Sequence, residues 1–353
     1  MLELLKTAIQ RGASDIHIKG GDFIRIRVHG ELVPLTKQRV TPEQTRQVVQ
    51  QILPPWEKDR IDQIRDYDFS WGAPGIGRFR VNVLRQRGSL GIVLRVIPIE
   101  IPTLDELQLP PVLAQIALAE RGLILVTGAT GSGKSTTLAA MVKHINHHKR
   151  KHIITLEDPI EFLHRDDKSS ITQREVGTDT ESFSAGLRAA LREDPDVILV
   201  GEMRDPETID IALKAAETGH LVLSTLHTEN AVKTISRVIA VFPPDEQESV
   251  RLRLSETLVA VVSQRLLPRK SGTGRVAACE IMVATSTIRD LIRDPHRTPE
   301  IADLIAEGRE QYGSQTFDQH LADLVATEVV EYEVAKAAAN NPSDFELKMK
   351  TLA

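Results

Sequence analysis

The sequence predicts an α/β protein with two domains and a helical C-terminal region, and three observations lead to this class. From residue 121 onward, short apolar runs rich in β-branched residues alternate with helical segments, a pattern typical of a largely parallel sheet covered on both faces. A glycine-rich loop separates the first of these runs from a helical segment. Before residue 98, short alternating strands and two helices indicate a smaller α+β domain.

The first domain is predicted over residues 1–98. A helix is expected near residues 2–11, and a second one is expected after the start signal Thr41-Pro42-Glu43. Alternation of apolar and polar residues predicts strands near residues 15–18, 23–29, 67–71, 78–84 and 91–97. Residues 99–111 are predicted to be a linker, because closely spaced prolines at and after residue 98 prevent one uninterrupted element.

The second domain is predicted over residues 112–285. Its expected strands follow the apolar runs at residues 123–127, 152–156, 197–200 and 221–224. The region 286–353 is predicted to be helical, since apolar residues return at helical spacing and an Asp294-Pro295 pair then ends the first helix.

Composition excludes several classes of protein. The chain has 353 residues, 41% of them hydrophobic and 26% charged, which indicates a soluble globular protein. No apolar run approaches the roughly 18 residues that cross a bilayer, so no transmembrane segment is expected. A single cysteine, Cys279, allows neither an internal disulfide nor a cysteine zinc cage, which favours a cytoplasmic protein.

Charge is distributed unevenly along the chain. The net charge is -5, yet residues 1–98 hold 16 Lys and Arg against 10 Asp and Glu. Five arginines of this domain follow one another with no acidic residue between them: Arg78, Arg80, Arg85, Arg87 and Arg95. Such a strip suits a phosphate-bearing partner, or it is the solvated face of a strand; the pattern alone leaves both open.

The glycine-rich loop carries the clearest chemistry. It fits the pattern G-x-x-x-x-G-K-[ST] and stands after a predicted strand and before a predicted helix over residues 134–146. The residues expected to bind nucleotide are Gly128, Ala129, Thr130, Gly131, Ser132, Gly133, Lys134, Ser135 and Thr136. Backbone N–H groups would face phosphate oxygens, Lys134 would reach the β and γ phosphates, and the Ser135 hydroxyl would hold Mg²⁺. The expected ligands are therefore ATP and Mg²⁺.

Carboxylates follow two of the other predicted strands. Glu202 follows the buried run 197–200, where a P-loop protein places the acid that holds Mg²⁺ and orients the attacking water. Glu157 ends another strand at the same predicted edge and is the rival candidate for the general base. Arg204 could pair with Glu202 or contact phosphate.

Two histidines flank the fourth predicted strand. His220 precedes residues 221–224, and His227 follows them. A histidine at this sheet edge could bond to the γ-phosphate and report its loss, although a histidine satisfied within the core or a loop is an equally good interpretation.

These motifs together resemble the secretion and type IV pilus ATPase superfamily, and within it the twitching-motility retraction ATPases of the PilT and PilU types. The resemblance covers essentially the whole chain. Its marks are the segment 11–17 (RGASDIH), the Walker A loop, the Glu157 segment similar to an Asp box, residues 191–205 similar to a Walker B signature, and residues 220–227 similar to a His box.

The resemblance implies a ring of six copies, in which a PAS-like N-terminal domain packs on the RecA-like domain of the neighbouring subunit and ATP lies at the junction. Arg80, Arg87 and Arg95 stand at positions similar to the arginine fingers of the family. They would neutralise charge on the γ-phosphoryl group from outside or within the subunit.

The resemblance favours pilus retraction over pilus assembly or type II secretion, whose ATPases usually carry a further N-terminal domain and a four-cysteine zinc module. Residues 287–294 (TIRDLIRD) resemble a retraction-family motif, with Thr, Asp and Asp in place of Ala, Asn and Glu. The tail over residues 315–342 resembles the PilU type, so a main and an accessory retraction motor both stay open.

Partners and location follow from the same resemblance. It implies an inner-membrane pilus platform protein as partner, a second retraction ATPase as a further one, and a peripheral position at the cytoplasmic face of the inner membrane. A nucleic-acid translocase is the alternative from another class; a pI near 6.2 and 4% aromatic residues argue against it. A regulatory subunit that binds ATP and hydrolyses it poorly is a third alternative.

Overall fold

A computed structural model describes residues 1–98 and 100–352. Contacts within the chain define two compact units, one formed by residues 1–100 with 159–163, and one formed by residues 101–158 with 164–353. Two terminal positions of the predicted ranges, Ile99 of the linker and Ala353 of the C-terminal region, lie outside the described residues.

The described part of the first unit forms a six-stranded antiparallel sheet packed on two helices. Its elements are α1 (Leu2–Gln10), β1 (Asp15–Lys19), β2 (Phe23–Val28), β3 (Glu31–Arg39), α2 (Pro42–Ile52), β4 (Asp66–Ala73), β5 (Gly77–Gln86) and β6 (Ser89–Ile97), with a 3₁₀ helix at Pro55–Arg60. The strand order is β3-β2-β1-β6-β5-β4. The predicted strands and both helices are confirmed, and α2 begins with a capping box between Thr41 and Gln44.

Strand alternation separates a core face from a polar face in this sheet. Ile16, Ile26, Val81 and Leu94 are buried on one face and pack with apolar residues of both helices. Strand β3 was not predicted, because it is an edge strand that contains Pro34 and no fully buried residue.

The second unit surrounds a seven-stranded sheet. In chain order the elements are α3 (Val112–Ala117), β7 (Gly122–Thr127), α4 (Lys134–His148), β8 (His152–Glu157), β9 (Ser170–Glu175), α5 (Phe183–Ala190), β10 (Val197–Val200), α6 (Pro206–Glu217), β11 (Leu221–Leu226), α7 (Ala231–Ala240), α8 (Gln247–Thr257), β12 (Leu258–Pro268), β13 (Arg275–Val283), α9 (Ser286–Arg293), α10 (Ile301–Glu307), α11 (Arg309–Tyr312), α12 (Phe317–Ala326), α13 (Tyr332–Ala338) and α14 (Pro342–Leu352). A 3₁₀ helix lies at Thr298–Glu300.

The sheet is largely parallel, as the sequence predicts. Its strand order is β13-β12-β7-β11-β10-β8-β9, and among the described strands only β13 runs antiparallel to its neighbour. The central strands are buried along their whole length, which explains their continuous apolar sequence. Strands β9, β12 and β13 were not predicted.

One predicted domain boundary needs correction. The linker predicted over residues 99–111 does not stay apart, because Leu104 and Leu109 are buried in one apolar cluster with Leu113 and Met141 of the second unit. The region from residue 286 contains helices α9 to α14, as predicted, and these helices pack on the rest of the second unit. Ile288 and residues of α10 pack into the main core, and a smaller cluster joins Phe317 to β12 and β13.

Candidate functional site

The loop between β7 and α4 curls tightly around glycines in left-handed conformations. The φ angles are 141° at Gly128, 78° at Gly131 and 92° at Gly133. A Cβ atom on Gly128 would lie 2.5 Å from the Gln264 carbonyl oxygen and 2.6 Å from Ser132 Oγ. Only glycine fits the first position, so the close turn is built into the sequence.

Lys134, the first residue of α4, is held against this loop. Its side chain is buried, and Nζ donates hydrogen bonds to the carbonyl oxygens of Gly128 at 2.9 Å and Ala129 at 3.0 Å. Burial lowers the pKa of the Lys134 ammonium, and the charge of Glu202 partly offsets that effect. A poorly hydrated ammonium group therefore lies beside the loop. An anion bound there would replace the two carbonyl oxygens as its hydrogen-bond partners.

The amino-terminal turn of α4 faces the same space. Ser135 is exposed and Thr136 half-buried, while Ala129, Thr130 and Gly131 are exposed along the loop. The first N–H groups of a helix have no acceptor within the helix, and the helix dipole places partial positive charge there. Loop and helix together form an anion site of the kind that binds phosphate.

A cavity of about 340 Å³ opens beside the loop. Its lining comprises Gly128, Ala129, Thr130, Gly131, Ser132, Glu229, Gln264, Arg265, Leu266 and Arg275. Two buried polar atoms in this lining, Ser132 Oγ and Gln264 Oε1, have no hydrogen-bond partner among the described residues. Because such atoms are costly when unpaired, they favour a polar occupant of the cavity.

Glu202 lies at the same edge of the sheet as the loop. It follows β10, and its carboxylate accepts a hydrogen bond from Arg204 Nε at 2.6 Å. His227 Nε2 lies 3.6 Å from the same carboxylate oxygen. The predicted Glu202, Arg204 and His227 therefore form one cluster. Glu202 and Arg204 follow β10, two strands away from the strand that carries the loop, and His227 follows the intervening β11.

Glu157 ends β8, the next strand in the sheet. Its Oε1 accepts hydrogen bonds from Thr155 Oγ1 at 2.7 Å and Gln173 Nε2 at 3.1 Å. With strands spaced about 4.8 Å apart, Glu157 stands about 14 Å from the loop strand and Glu202 about 10 Å. Both carboxylates thus follow strands that end at the sheet edge carrying the loop, at different distances from it.

The expectation that both histidines lie at this edge is wrong for His220. His220 precedes β11 and His227 follows it, so the two residues stand at opposite edges of the sheet, about 20 Å apart for a six-residue strand. The His220 ring contacts the Ala215 carbonyl oxygen at 2.9 Å and Thr218 Oγ1 at 3.2 Å. Within this unit, His220 stabilises the end of α6 and does not face the loop.

The three candidate arginine fingers lie on the first unit and are all exposed. Arg80 on β5 is the direct cross-strand neighbour of Arg95 on β6, whereas Arg87 stands at the tip of the β5–β6 hairpin with a φ of 48°. Seven residues of strand, about 24 Å, separate Arg87 from Arg80, more than two extended arginine side chains span. Arg87 and the Arg80–Arg95 pair of one chain therefore lie well apart along the hairpin.

Arg95 also contacts Asp15, which belongs to the RGASDIH segment at residues 11–17. Its Nε donates to Asp15 Oδ1 at 2.9 Å, and Ser14 Oγ donates to Asp15 Oδ2 at 2.8 Å. Burial alone would raise the pKa of Asp15, but the hydrogen bonds from Arg95 and Ser14 outweigh it and hold the pKa below its usual value. In this conformation the Arg95 guanidinium is paired with Asp15.

The sequence did not single out the cavity residues of β12, β13 and the loop before α7. Glu229, Gln264, Arg265, Leu266 and Arg275 belong to no recognisable local motif. Their contribution depends on the pairing of β12 with β7, a long-range contact that no short pattern encodes.

Comparison with known proteins identifies the family. The model of the family described as Type II/IV secretion system protein matches residues 1–345. The type IV pilus retraction ATPase PilT of Pseudomonas aeruginosa is 47% identical to this chain over 343 residues, which cover 97% of this chain and 99% of the relative. The chain belongs to the type II/IV secretion system protein family. The family predicted from the motifs is thereby confirmed.

Two further relatives extend this result within the family. The type IV pilus ATPase PilU of Pseudomonas aeruginosa is 43% identical, over 99% of this chain and 91% of the relative. The crystal structure of the pilus retraction motor PilT with bound ADP shares 46% identity and a TM-score of 0.89, and covers 98% of this chain and 99% of that one. The predicted fold class, a P-loop α/β domain of the RecA-like type with a smaller α+β domain, is confirmed by this match. Among the described residues, no helix is both long and apolar enough to cross a membrane.

Proposed function

We propose that this protein is a Mg-ATP hydrolase that drives retraction of type IV pili, and thus twitching motility. The observation that carries the proposal is near full-length similarity to the retraction ATPase PilT, combined with a complete P-loop edge in the second unit. The working form is a ring of six copies at the cytoplasmic face of the inner membrane. The ring acts on an inner-membrane pilus platform protein.

The residues at the loop fit a nucleoside triphosphate with Mg²⁺. The loop has the tight curvature that brings N–H groups to phosphates, Lys134 supplies a buried cation, and the cavity retains unpaired polar atoms. Ser135 and Glu202 would hold Mg²⁺. When bound, this ion neutralises charge on the phosphate oxygens. Lys134 would exchange its carbonyl partners for phosphate and so bring the β and γ groups to a fixed position.

We assign different roles to the two carboxylates from their depth along the edge. Glu202 stands nearer the loop and within electrostatic reach of Lys134, which suits a residue that binds the metal side of the phosphates. Glu157 lies one strand further out, where the hydrogen bonds from Thr155 and Gln173 fix one of its oxygens. Glu157 is therefore the proposed general base for water, and His227 beside Glu202 is the proposed sensor of the γ-phosphate.

Arg80, Arg87 and Arg95 supply positive charge from the first unit. We propose that they act on the nucleotide of a neighbouring copy or of the same copy, with Arg87 at a position different from that of the Arg80–Arg95 pair. Their exposure and their distribution over one hairpin support this division. Arg204 is the residue that keeps the Glu202 carboxylate in place.

An accessory retraction ATPase is the second candidate function, because PilU is 43% identical over nearly the whole chain. In that case the protein would work beside a second retraction ATPase. Retraction of single pili against a calibrated load separates the two functions. A main motor is required at every load, whereas loss of an accessory motor abolishes retraction only at high load.

The proposed site is tested with purified protein, by mass photometry for the ring and phosphate release for turnover. The wild type is expected to form six-membered rings that hydrolyse ATP only with Mg²⁺. Glu157→Gln should bind ATP and lose at least about a hundredfold in turnover, the range of a missing general base. Glu202→Gln should lose turnover and also require more Mg²⁺. Normal hydrolysis by both variants would refute the site.

A further inference from the structure

Arg265 on β12 belongs to two structural features of the second unit at once. It is part of the lining of the P-loop cavity. The same guanidinium donates from Nη1 to the Ala338 carbonyl oxygen at 2.6 Å and from Nη2 to Asn340 Oδ1 at 2.7 Å. It also stacks on the ring of Phe317, with 3.9 Å between Cζ and the ring centroid.

These contacts hold the turn between α13 and α14, residues 338–341, which we call the α13–α14 corner. Asp318 holds the corner from the other side, because its Oδ1 accepts a hydrogen bond from the Asn340 N–H at 2.9 Å. Beyond the corner, Phe345 is buried in the cluster that also contains Phe317. The last helices are thus attached to the sheet next to the cavity, and Arg265 belongs to both the cavity lining and the contacts of the corner.

Arg265 interacts with carboxylates from three different parts of the second unit. The carboxylates of Glu280, Asp318 and Glu229 all interact electrostatically with the guanidinium. Glu280 is itself buried and accepts a hydrogen bond from the Ala231 N–H at the start of α7, the helix that follows His227. The same group of charges therefore reaches the loop before α7 as well as the corner.

We propose that Arg265 is a positioning residue that couples nucleotide binding in the P-loop cavity to docking of the α13–α14 corner. A guanidinium has five N–H donors in a rigid plane, and the corner uses two of them. Negative charge in the cavity attracts the nearby guanidinium and favours the conformation described above. That same conformation binds the corner, so bound nucleotide tightens the corner. This inference rests on the proposed nucleotide binding.

The coupling is measured by hydrogen exchange of the full-length protein, with and without saturating Mg-ADP. Amides of residues 338–345 should exchange at least about fivefold more slowly with ADP in the wild type, the lower end of typical coupling between sites. Arg265→Met should lose this difference. Arg251→Met is the matched control. Arg251 is another half-buried arginine, which donates to the Ile292 carbonyl oxygen and Thr298 Oγ1, away from cavity and corner. It should keep the ADP effect.

Two further variants address folding and reciprocity. Arg265→Lys keeps the charge but lacks the planar fork, so it should bind ADP and still lose most of the protection. Asn340→Ala removes a contact on the corner side only. Because coupling between two sites is reciprocal, this variant should bind ADP more weakly than the wild type, as measured by fluorescent ADP titration.

The outcomes distinguish the coupling from the proposed function. If the wild type binds no ADP, the proposed nucleotide site fails and the coupling fails with it. If ADP binds but exchange at the corner is unchanged or faster, the coupling alone is refuted. Wild-type protection in both Arg265 variants, or unchanged ADP affinity in Asn340→Ala, would also refute the coupling.

Discussion

Replacing Gly128 by alanine should disable the P-loop, whereas the same replacement at Gly131, three residues later, should not. Gly128 has a φ of 141°, and a Cβ there meets the Gln264 carbonyl oxygen at 2.5 Å and Ser132 Oγ at 2.6 Å. The carbonyl belongs to the backbone of β12 and cannot move aside as a flexible side chain does. Gly131 has a φ of 78°, and a Cβ there meets no atom within 4 Å.

The expected difference follows from these geometries. At Gly128, the backbone conformation costs an alanine about 1–3 kcal/mol, and forced contacts in a packed site cost about 1–3 kcal/mol more. At Gly131 the left-handed conformation alone costs about 1 kcal/mol. The difference of about 1–5 kcal/mol corresponds to a loss of binding of at least about fivefold if the loop relaxes.

The cost of the alanine can appear either in the stability of the protein or in its affinity for ADP, so both are measured. If the loop keeps its shape, the cost appears as a lower Tm; if the loop relaxes, it appears as weaker ADP binding. Thermal unfolding and fluorescent ADP titration of the two variants therefore cover the alternatives. Equal Tm and equal ADP affinity for Gly128→Ala and Gly131→Ala would refute the loop geometry described above.

Three further predictions concern single side chains. Lys134→Ala should abolish ADP binding in titrations while the Tm stays near that of the wild type, since the hydrogen bonds of the Lys134 ammonium among the described residues go to loop carbonyls. Burial lowers the pKa of His320 from 6.5 to about 4. Between these two pH values the unfolded state therefore binds more protons than the folded state. The free energy of unfolding should fall by up to about 3 kcal/mol as the pH drops from 6.5 to about 4. His320→Asn keeps an acceptor for the Cys279 N–H and should flatten this dependence in thermal unfolding. Arg253→Met removes the cation bound to Glu217 and one of the two bound to Asp210, which keeps Lys214, and should lower the free energy of unfolding by about 1–3 kcal/mol in denaturant titrations.

For each of these predictions, a specific experimental result would contradict it. Wild-type ADP affinity in Lys134→Ala would remove the lysine from the site. Replacement of the exposed His147 by asparagine is the control for the pH experiment. An identical pH profile for wild type and His320→Asn would show that His320 makes no contribution to the pH dependence of stability. An unchanged unfolding transition in Arg253→Met would mean that its ion pairs contribute nothing measurable.

The sequence predicted the parts of the site that a local pattern encodes. The P-loop needs eight consecutive residues between a strand and a helix, and each of them has a local physical reason. Glu202 and Glu157 were found because parallel strands end at one edge of the sheet. The error at His220 has the same origin: a residue before a parallel strand and a residue after it lie at opposite edges.

The parts that were missed depend on contacts between distant residues. Strands β12 and β13 contain apolar runs that fit a buried helix as well as a strand, and their pairing is fixed only by the neighbouring β7. Arg265 lines the cavity because of that pairing. The predicted linker illustrates a different limit, since its prolines showed where regular structure breaks but not that Leu104 and Leu109 pack into the core.

Pilus number and twitching in living cells test the central claim most directly. A strain that lacks this protein is compared with strains that express the wild type or Glu157→Gln. The proposed function predicts abundant surface pili and no twitching in the deletion and Glu157→Gln strains, with both defects corrected by the wild type. Bald deletion cells, or a Glu157→Gln strain that retracts its pili normally, would contradict an ATP-driven retraction motor.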